Sequence, residues 1–350
     1  MGSKKYQALL YATLAAVFYA INIPASKLLL HEVGPTTMAA LLYLGAGIGV
    51  GILALVNRKE AAQATSLSKQ DLPYVIGMIV LDIVAPILLM LGISYGTSAN
   101  ASLLGNFEIV ATAIIALLIF KESVSKRLWG AIALISLSSV LLSFEGADSF
   151  KFSLGSLFVL LATTCWGLEN NCTRSIASKS TYQIVVLKGI FSGLGALVIA
   201  LIKGESMPEL SYVLAAMLLG FVAYGLSIFM YVRAQNVLGA AKTSACYAVA
   251  PFVGAFLSFV FLRESLSWMY LVALAVMVAG SVLVMADTLI LSHTHSHEHT
   301  FVHTHDGTTH AHTVSHSHRH NHYLNEDKHA HHHDVAKLEK LPGARHVSVS

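Results

Sequence analysis

Ten apolar runs, each long enough to cross a bilayer as a helix, constrain this chain of 350 residues more than any other feature. A helix needs about 20 mostly apolar residues to span the hydrocarbon core of a membrane. Short segments that carry charges or turn-forming residues separate the runs. The predicted spans are residues 6–30, 36–56, 74–95, 98–120, 127–144, 153–176, 182–202, 209–234, 241–262 and 267–285. The pattern predicts an all-α polytopic membrane protein with ten transmembrane helices.

The composition agrees with a chain that is surrounded by lipid. Hydrophobic residues make up 55% of the sequence and charged residues only 12%, against about 25% charged residues in an average soluble domain. We recognise no catalytic constellation and no phosphate-binding glycine loop, so we expect neither an enzyme nor a required cofactor. The expected partners are the lipid bilayer and a small-molecule substrate, and not nucleic acid, while the oligomeric state stays open.

The distribution of Lys and Arg predicts the orientation of the chain. Leaving the tail aside, twelve of these residues fall in the segments that ten spans place on the side of the N-terminus, and four fall on the other side. Cytoplasmic loops carry the excess of positive charge in membrane proteins. Since an even number of spans returns the chain to its starting side, we expect both termini in the cytoplasm.

The two halves of the chain resemble each other. The segment "FKES" at 120–123 matches "LRES" at 262–265 with an offset of 142, and "YAINIPASK" at 19–27 matches "WGLENNCTR" at 166–174 with an offset of 147. Each repeat holds five predicted helices, an odd number, so the second copy is expected to be inverted in the membrane. The predicted divisions are a first repeat at 1–144, a linker at 145–152, a second repeat at 153–288 and a tail at 289–350.

These motifs resemble the EamA domains of the drug/metabolite transporter superfamily. Each half opens on an aromatic residue that is followed eight positions later by a basic one, and each half carries "F/L-K/R-E-S". "GNFE", "CWGLENNCTR" and the histidine-rich end are similar to a prokaryotic subgroup with such a tail. The resemblance implies a ten-helix carrier with a central cavity and alternating access, in the inner membrane of a prokaryote. It implies no particular cargo.

Four charged residues lie near the middle of predicted spans: Glu108, Asp82, Glu169 and Lys188. A charge at the bilayer centre costs about 3 kcal/mol even on lenient scales, so each one needs a reason. Glu108 and Glu169 are interpreted as cavity carboxylates for which a cationic cargo and a coupling proton compete, although Glu108 could instead pair with Lys188 or a tyrosine hydroxyl. Lys188 could also snorkel toward the interface. Asp82, four residues before Pro86, could mark a hinge or a broken helix.

Amide side chains extend this candidate site. Asn170 and Asn171 follow Glu169 directly, and Asn22 occupies the equivalent of Glu169 in the first repeat. Carriers built from repeats place their binding sites at such an interface, although hydrogen bonding between helices would also explain the amides. The candidate substrate- or proton-binding residues are Glu108, Glu169, Asn22, Asn106, Asn170, Asn171, Asp82, Lys188 and Trp166.

Small residues recur at spacings that favour close contact between helices. The sequences "LGAGIGVG" in the second span and "GIFSG" in the seventh are of this kind. Because glycine lets two backbones approach, we predict tight helix packing at both.

Histidine recurs at nearly every second position of the segment "SHTHSHEHTFVHTHDGTTHAHTVSHSHRHNHY" at 292–323. Neutral imidazoles suit Zn, Ni and Cu ions. We therefore expect a disordered cytoplasmic tail that binds these ions with low specificity, or else a solvated or pH-responsive spacer. The candidate ligands are His293, His295, His297, His299, His303, His305, His316, His318, His320 and His322.

The predicted membrane path itself does not resemble a transition-metal route. Seventeen of the 18 histidines lie beyond Ser292, and His31 is at the outer end of the first span. The sequence therefore predicts a secondary-active transporter of small organic metabolites, such as amino acids or drugs, that works by alternating access and is coupled to protons or driven by exchange. The alternative is a transition-metal transporter, or a metal-regulated carrier that uses the tail.

Overall fold

The structure of the chain is a computed structural model. It describes residues 2–63, 65–120, 125–145, 151–176, 179–238, 247–264, 267–288, 290–305, 308–323 and 345–348. They fall into two compact units, Met1–Asp287 and Thr288–Ser350. We call them the membrane unit and the tail unit.

The first half of the membrane unit is helical. Side-chain oxygens cap two of its helices: Thr97 accepts a hydrogen bond from the backbone N–H of Asn100, and Ser125 accepts one from that of Leu128. Such caps satisfy N–H groups that a helix leaves without a partner. The helices are α1 Gly2–Leu29, α2 Pro35–Val56, α3 Arg58–Gln63, α4 Leu72–Tyr95, α5 Ser98–Leu104, α6 Phe107–Phe120 and α7 Lys126–Leu142, with a 3₁₀ turn at Lys69–Asp71.

The second half follows a short pair of antiparallel strands, β1 Phe144–Glu145 and β2 Lys151–Phe152. A π-helical segment, Phe221–Leu226, joins two of its helices without a break. The helices are α8 Leu154–Ser175, α9 Thr181–Ile202, α10 Leu210–Gly220, α11 Ser227–Leu238, α12 Ala250–Leu262 and α13 Trp268–Thr288.

Seven segments of the described chain are long and apolar enough to cross a membrane. The other three predicted spans contain helices that do not meet this criterion: α7 has 17 residues, α12 has 13, and α8 has 22 but carries several polar side chains. Part of the ninth predicted span, residues 239–246, lies outside the described residues. The seven segments are Tyr6–Leu29, Pro35–Val56, Lys69–Tyr95, Ser98–Ile119, Thr181–Ile202, Leu210–Tyr231 and Trp268–Asp287.

The fourth predicted span is interrupted between α5 and α6. Gly105 and Asn106 form a turn there, and the N–H groups of Asn106 and Glu108 bond to carbonyls three residues back, at 3.1 Å each. By contrast, α4 runs without a break past Pro86. The prediction of a broken helix at Asp82 is therefore wrong, and the interruption lies beside Glu108 instead.

Each pair of helices that packs between the two halves has an equivalent pair in which the halves have swapped roles. The first helix of each half packs on the third of the other, since α1 contacts α11 as α8 contacts α4. Likewise α1 contacts α12 as α8 contacts α6, and α2 contacts α10 as α9 contacts α4. This arrangement is a pseudo-two-fold relation between the halves.

Glycines allow the second helices of the two halves, α2 and α9, to cross closely. A Cβ atom on Gly47 would lie 2.7 Å from the backbone nitrogen of Ile190, and one on Gly193 would lie 2.8 Å from that of Leu44. An offset of 146 residues maps Leu44 onto Ile190 and Gly47 onto Gly193, so the two close contacts are equivalent. The predicted tight packing of these glycine-rich segments is confirmed.

Acidic residues hold loops of the second half against helix N-termini of the first. The Glu205 carboxylate accepts hydrogen bonds from the backbone N–H groups of Thr36 at 3.1 Å and Thr37 at 2.8 Å. Glu264 accepts equivalent bonds from Ser98 and Ala99 at 2.8 Å each. Partial burial raises the pKa of Glu205, but the hydrogen bonds from Thr36 and Thr37 outweigh it and hold the pKa below its ordinary value.

The tail unit is an antiparallel sheet in the order β3 Ile290–His305, β4 Thr308–Tyr323 and β5 Arg345–Ser348. The sequence predicts a disordered tail, and the strands differ from that expectation. A physical reason is that histidine alternates with Thr, Ser and Val, which gives a period of two and includes residues that favour strands.

Candidate functional site

Three charged side chains from three helices form an ion-paired triad inside the membrane unit. Lys188 Nζ of α9 lies 3.1 Å from Asp82 Oδ2 of α4 and 2.9 Å from Glu169 Oε1 of α8. The exposed fractions of the three side chains are 13%, 0% and 3%. A buried charge that loses its partner destabilises a protein by about 3–5 kcal/mol, so each member depends on the others. Because two carboxylates face one ammonium group, the triad can accept a proton.

Hydroxyl groups supply further hydrogen bonds to both carboxylates. Tyr43 of α2 donates to Asp82 Oδ1 at 2.9 Å. Thr173, one turn after Glu169 on α8, donates to Glu169 Oε1. Four helices, α2, α4, α8 and α9, therefore meet at the triad.

Asn22 of α1 forms a neighbouring polar group with Tyr224. The amide of Asn22 donates to the Tyr224 hydroxyl at 3.0 Å and accepts from Ser26 at 3.1 Å. Tyr224 lies in the π-helical segment, a feature that often occurs at functional sites. Its ring centroid is 5.2 Å from that of Tyr43, so aromatic contact links Asn22 to the triad.

Glu108 occupies the first turn of α6, directly after the interruption. Its Oε1 accepts a hydrogen bond from the Asn170 amide of α8 at 2.6 Å. The same amide lies 3.4 Å from the Thr112 hydroxyl. The N-terminal end of a helix carries partial positive charge, which favours a carboxylate at this position.

Two buried polar atoms beside Glu108 are not satisfied by the protein. Asn106 and Ser102 are 2% and 1% exposed, and neither the Asn106 Nδ2 nor the Ser102 Oγ has a hydrogen-bond partner among the described residues. Leaving such a group without a partner costs about 1–3 kcal/mol. A ligand or water molecules in the adjoining cavity would satisfy both groups.

That cavity has a volume of about 100 Å³ and lies between α1, α4, α5, α6, α8 and the start of α12. Glu108, Asn106 and Ser102 contribute polar groups to its wall. Aromatic rings form much of the remainder, from Tyr19, Trp166 and Tyr247. We call this space the central cavity. A few convergent polar groups among apolar and aromatic walls are the usual composition of a small-molecule site.

A second cavity of about 380 Å³ adjoins the junction of α4 and α5. Its charged residue, Lys27, donates hydrogen bonds to the carbonyls of Ile93 at 2.6 Å and Gly96 at 2.8 Å. Cations commonly stabilise the C-terminal end of a helix in this way. The ammonium group of Lys27 therefore has a structural role at this helix end, and we assign no ligand to the second cavity.

The residues that the sequence singles out fall into three groups: the triad, one residue with a structural role, and the residues that line the central cavity or bond to its neighbours. Asp82, Glu169 and Lys188 form the triad, so Lys188 pairs with carboxylates and neither snorkels nor pairs with Glu108. Asn171 bonds to the carbonyl of Gly167 on its own helix at 2.8 Å, which is a structural role. The predicted residues that line the central cavity are Glu108, Asn106 and Trp166, while Asn170 bonds to Glu108 and Asn22 to Tyr224.

Several residues of the site have no charge that would single them out in the sequence. Ser102, Tyr43 and Tyr224 all lie in apolar runs, where serine and tyrosine are common. The two tyrosines could still be predicted from the sequence as polar contacts, because a tyrosine hydroxyl in the middle of an apolar run usually needs a hydrogen-bond partner when it is buried.

A bundle of membrane-length helices around a buried, partly unsatisfied polar site defines the class of a polytopic membrane protein. The model of the EamA-like transporter family matches residues 7–144 and again 153–286. The chain belongs to the EamA-like transporter family.

Two comparisons agree with this assignment. An "Uncharacterized transporter" from Methanothermobacter thermautotrophicus is 27% identical over 285 residues, which cover 76% of this chain and 82% of that protein. A crystal structure of a protein superposes with a TM-score of 0.59 at 17% identity, covering 79% of this chain and 96% of the other, and shows that the fold is shared.

Proposed function

We propose that this protein is a secondary-active transporter that carries small polar organic metabolites across the membrane through the central cavity. The observation that carries the proposal is the meeting of Glu108 with the unsatisfied groups of Asn106 and Ser102 at one cavity. Membership of the EamA-like transporter family and the similarity to a protein named as a transporter support it.

The wall of the central cavity favours a cargo with a protonated amine. Glu108 offers a carboxylate oxygen to such a group, and the Asn106 amide offers a donor to a carbonyl, carboxylate or hydroxyl oxygen of the cargo. The rings of Tyr19, Trp166 and Tyr247 would contact its apolar part. A cation near an aromatic face gains about 0.5–2 kcal/mol.

Coupling is proposed to use the triad and not the cargo site. Glu169 does not line the central cavity among the described residues, whereas Glu108 does. In this scheme Glu108 binds cargo, and a proton is shared between Asp82 and Glu169 while Lys188 bridges them. Cargo binding and proton binding are then assigned to different residues, whereas the sequence predicts that cargo and proton compete for the same carboxylates. Exchange of one cargo molecule for another is the alternative driving force.

The proposed topology has ten transmembrane helices in two inverted repeats, with both termini in the cytoplasm of a prokaryotic cell. The exchange-related packing of the halves supports it, as does the excess of Lys and Arg on one side. Alternating access would follow from rocking of the repeats around the central cavity.

Transition-metal transport is the less favoured function. Among the described residues of the membrane unit there is no group of three or more His, Cys, Asp or Glu side chains placed to hold a metal ion. Carboxylates and amides also suit polar organic solutes better than soft metal ions.

Uptake into proteoliposomes tests the proposal. Purified protein would be reconstituted, given a mixture of metabolites under an imposed pH gradient, and the contents of the vesicles identified by mass spectrometry. We expect amine-bearing metabolites to accumulate with the wild-type chain and to be lost with Glu108→Gln. Glu209→Gln, a change at an exposed residue outside the cavity, is the matched control and should transport normally.

Two further arms separate cargo binding from coupling. Asn106→Ala should raise the KM for the cargo, whereas Asp82→Asn should abolish dependence on the pH gradient while leaving exchange of preloaded cargo intact. Uptake that is the same for wild type and Glu108→Gln at every pH would show that the central cavity is not the transport site.

A further inference from the structure

Four buried apolar residues form a cluster that is separate from the main hydrophobic core of the membrane unit. They are Val75 and Met78 of α4, Ile184 of α9, and Ile176, which directly follows α8. Met78 and Ile176 are 0% exposed. None of the four side chains carries an ionisable group. We call these residues the inner cluster.

The inner cluster lies one helical turn from the triad on both α4 and α9. Met78 precedes Asp82 by four residues, and Ile184 precedes Lys188 by four. Residues four apart lie on the same face of a helix, one above the other. On these two helices the cluster is therefore directly next to the triad, on the side of the helix N-termini.

The third helix of the triad, α8, contributes to the cluster from its C-terminal end. Ile176 follows Glu169 by seven residues, which is about two turns. Between them, Cys172 packs on the inner cluster, and a Cβ atom on Gly77 of α4 would lie 3.2 Å from its Sγ. All three helices that carry a triad residue therefore close together on the same side of it.

The loop that precedes α4 covers the inner cluster on the side away from the triad. Leu67 of this loop packs against the cluster, and its backbone N–H donates a hydrogen bond to Gln183 Oε1 of α9 at 2.9 Å. The carbonyl of Thr65 accepts a bond from the N–H of Ser180 at 2.8 Å. These bonds join a loop of the first half to the N-terminus of a helix of the second half, so the cluster has a second layer above it.

An apolar layer of this kind can exclude water from a polar site. Hydrophobic constrictions in membrane proteins block ions because water does not remain in them. A proton needs water or an ionisable side chain to cross, and the four side chains of the inner cluster provide neither. The proposed topology places this end of the membrane unit in the cytoplasm.

We propose that the inner cluster is a proton barrier that isolates the triad from the cytoplasm in this conformation. The inference rests on the proposed coupling role of the triad and deepens it, because it names the side from which protons are excluded and the residues that exclude them. A triad that was open to both sides at once would conduct protons without moving cargo. The barrier residues are therefore required for coupling although they bind neither proton nor cargo.

Proton entry into proteoliposomes without any cargo tests the barrier. The full-length protein would be reconstituted, a membrane potential imposed with a potassium gradient and valinomycin, and the internal pH followed with a trapped fluorescent dye. We expect Met78→Ser to admit protons several-fold faster than the wild type, because a small polar side chain lets water into the cluster. Met78→Leu, which keeps the layer apolar, should stay as tight as the wild type. Val80→Ser is the matched control on α4, since Val80 is 51% exposed and outside the cluster.

A second arm asks whether the leak passes through the triad. Met78→Ser would be combined with Asp82→Asn, Glu169→Gln and Lys188→Met, which leave no ionisable group in the triad. The leak should then return to the wild-type rate, because the opened cluster no longer leads to a group that relays a proton. A leak that persists without the triad would show that the cluster only fills space, and would overturn the proposal.

Ile184→Ser repeats the test from α9, so the result does not depend on the folding of one variant. Its control is Val198→Ser on the same helix, at a residue that is 54% exposed. Proton entry at the wild-type rate in both Met78→Ser and Ile184→Ser would overturn the barrier. Because no cargo is present, this outcome is distinct from failure of the proposed transport site, which would appear as cargo uptake that Glu108→Gln leaves unchanged.

Discussion

Lys188 is the residue on which burial of the two triad carboxylates depends. Lys188→Met leaves Asp82 and Glu169 without a cation, and we expect the free energy of unfolding to fall by about 3–5 kcal/mol at neutral pH. The loss should shrink as the pH falls, because protonation neutralises the stranded carboxylates. Thermal unfolding in detergent over a range of pH measures both effects.

Two controls make the Lys188 test specific. Lys203→Met removes a lysine whose side chain is 44% exposed and pairs with Glu205 at 3.2 Å, and a surface pair is worth only about 0–1 kcal/mol. The triple variant Lys188→Met, Asp82→Asn and Glu169→Gln should recover most of the stability, since no charge remains in the triad. A single variant as stable as the wild type at all pH values would mean that the triad is not ionised.

Glu205 offers a pH-dependent test outside the membrane spans. Its pKa in the folded chain is below the ordinary 4.5 because Thr36 and Thr37 donate to it. Its contribution is therefore complete above that ordinary value and is lost as the pH falls through the folded-state pKa. We expect Glu205→Gln to cost about 1 kcal/mol at neutral pH, with the difference from wild type vanishing in acid.

The control for Glu205 is Glu32→Gln, a change at an exposed residue of the neighbouring α1–α2 loop. It should alter the unfolding midpoint little at any pH. If the two variants behave alike, the hydrogen bonds to the N-terminus of α2 do not contribute to stability.

The site residues that the sequence predicts most clearly are the charged ones. Asp82, Glu108, Glu169 and Lys188 stand out because an ionised group in an apolar run is costly. Which carboxylate pairs with Lys188 could not be read, because the three helices that meet there are separated by long stretches of chain. Ser102 gave no signal either, since its unsatisfied state depends on the shape of the cavity around it.

At the scale of elements, the crossing of α2 and α9 depends on glycine. A Cβ on Gly189 would lie 2.4 Å from the Cα of Gly47, which is backbone and cannot rotate away. We expect Gly189→Ala to destabilise the protein by about 1–3 kcal/mol, the range for overpacking. Thermal unfolding of the purified protein in detergent measures the change.

Gly51 provides a matched control on the same pair of helices. A Cβ there meets only a Val186 methyl at 3.8 Å, an ordinary contact. Gly51→Ala should be neutral or stabilise the helix by up to about 1 kcal/mol. Equal behaviour of the two alanine variants would contradict the close crossing.

The sequence predicts elements well where length and hydropathy decide them, and less well where tertiary contacts do. The seven membrane-length segments follow from apolar runs. The turn at Gly105 and Asn106 and the π-helical segment around Tyr224 have no comparable pattern, because each depends on neighbouring helices.

At the scale of the whole molecule, the polar contacts of the site join one half of the chain to the other. Asp82 and Glu108 belong to the first half, while their partners Lys188 and Asn170 belong to the second. The capping bonds that Glu205 makes cross the same boundary. Neither half alone supplies all of these partners, since Asp82 and Glu108 would lose Lys188 and Asn170, and the Tyr224 hydroxyl would lose Asn22. The repeats seen in the sequence are therefore not independent folding units.

Splitting the chain between residues 146 and 150, after β1, tests this interdependence. The two halves expressed together, with an affinity tag on one of them, should copurify, whereas either half alone should be degraded or aggregate because its buried polar groups lack partners. A second half that carries Lys188→Met should copurify several-fold less well with a wild-type first half. A first half with Asp82→Asn should restore part of that yield, because one stranded carboxylate is removed. Recovery of a stable, monodisperse single half would contradict the argument, since it would show that each repeat satisfies its own polar residues.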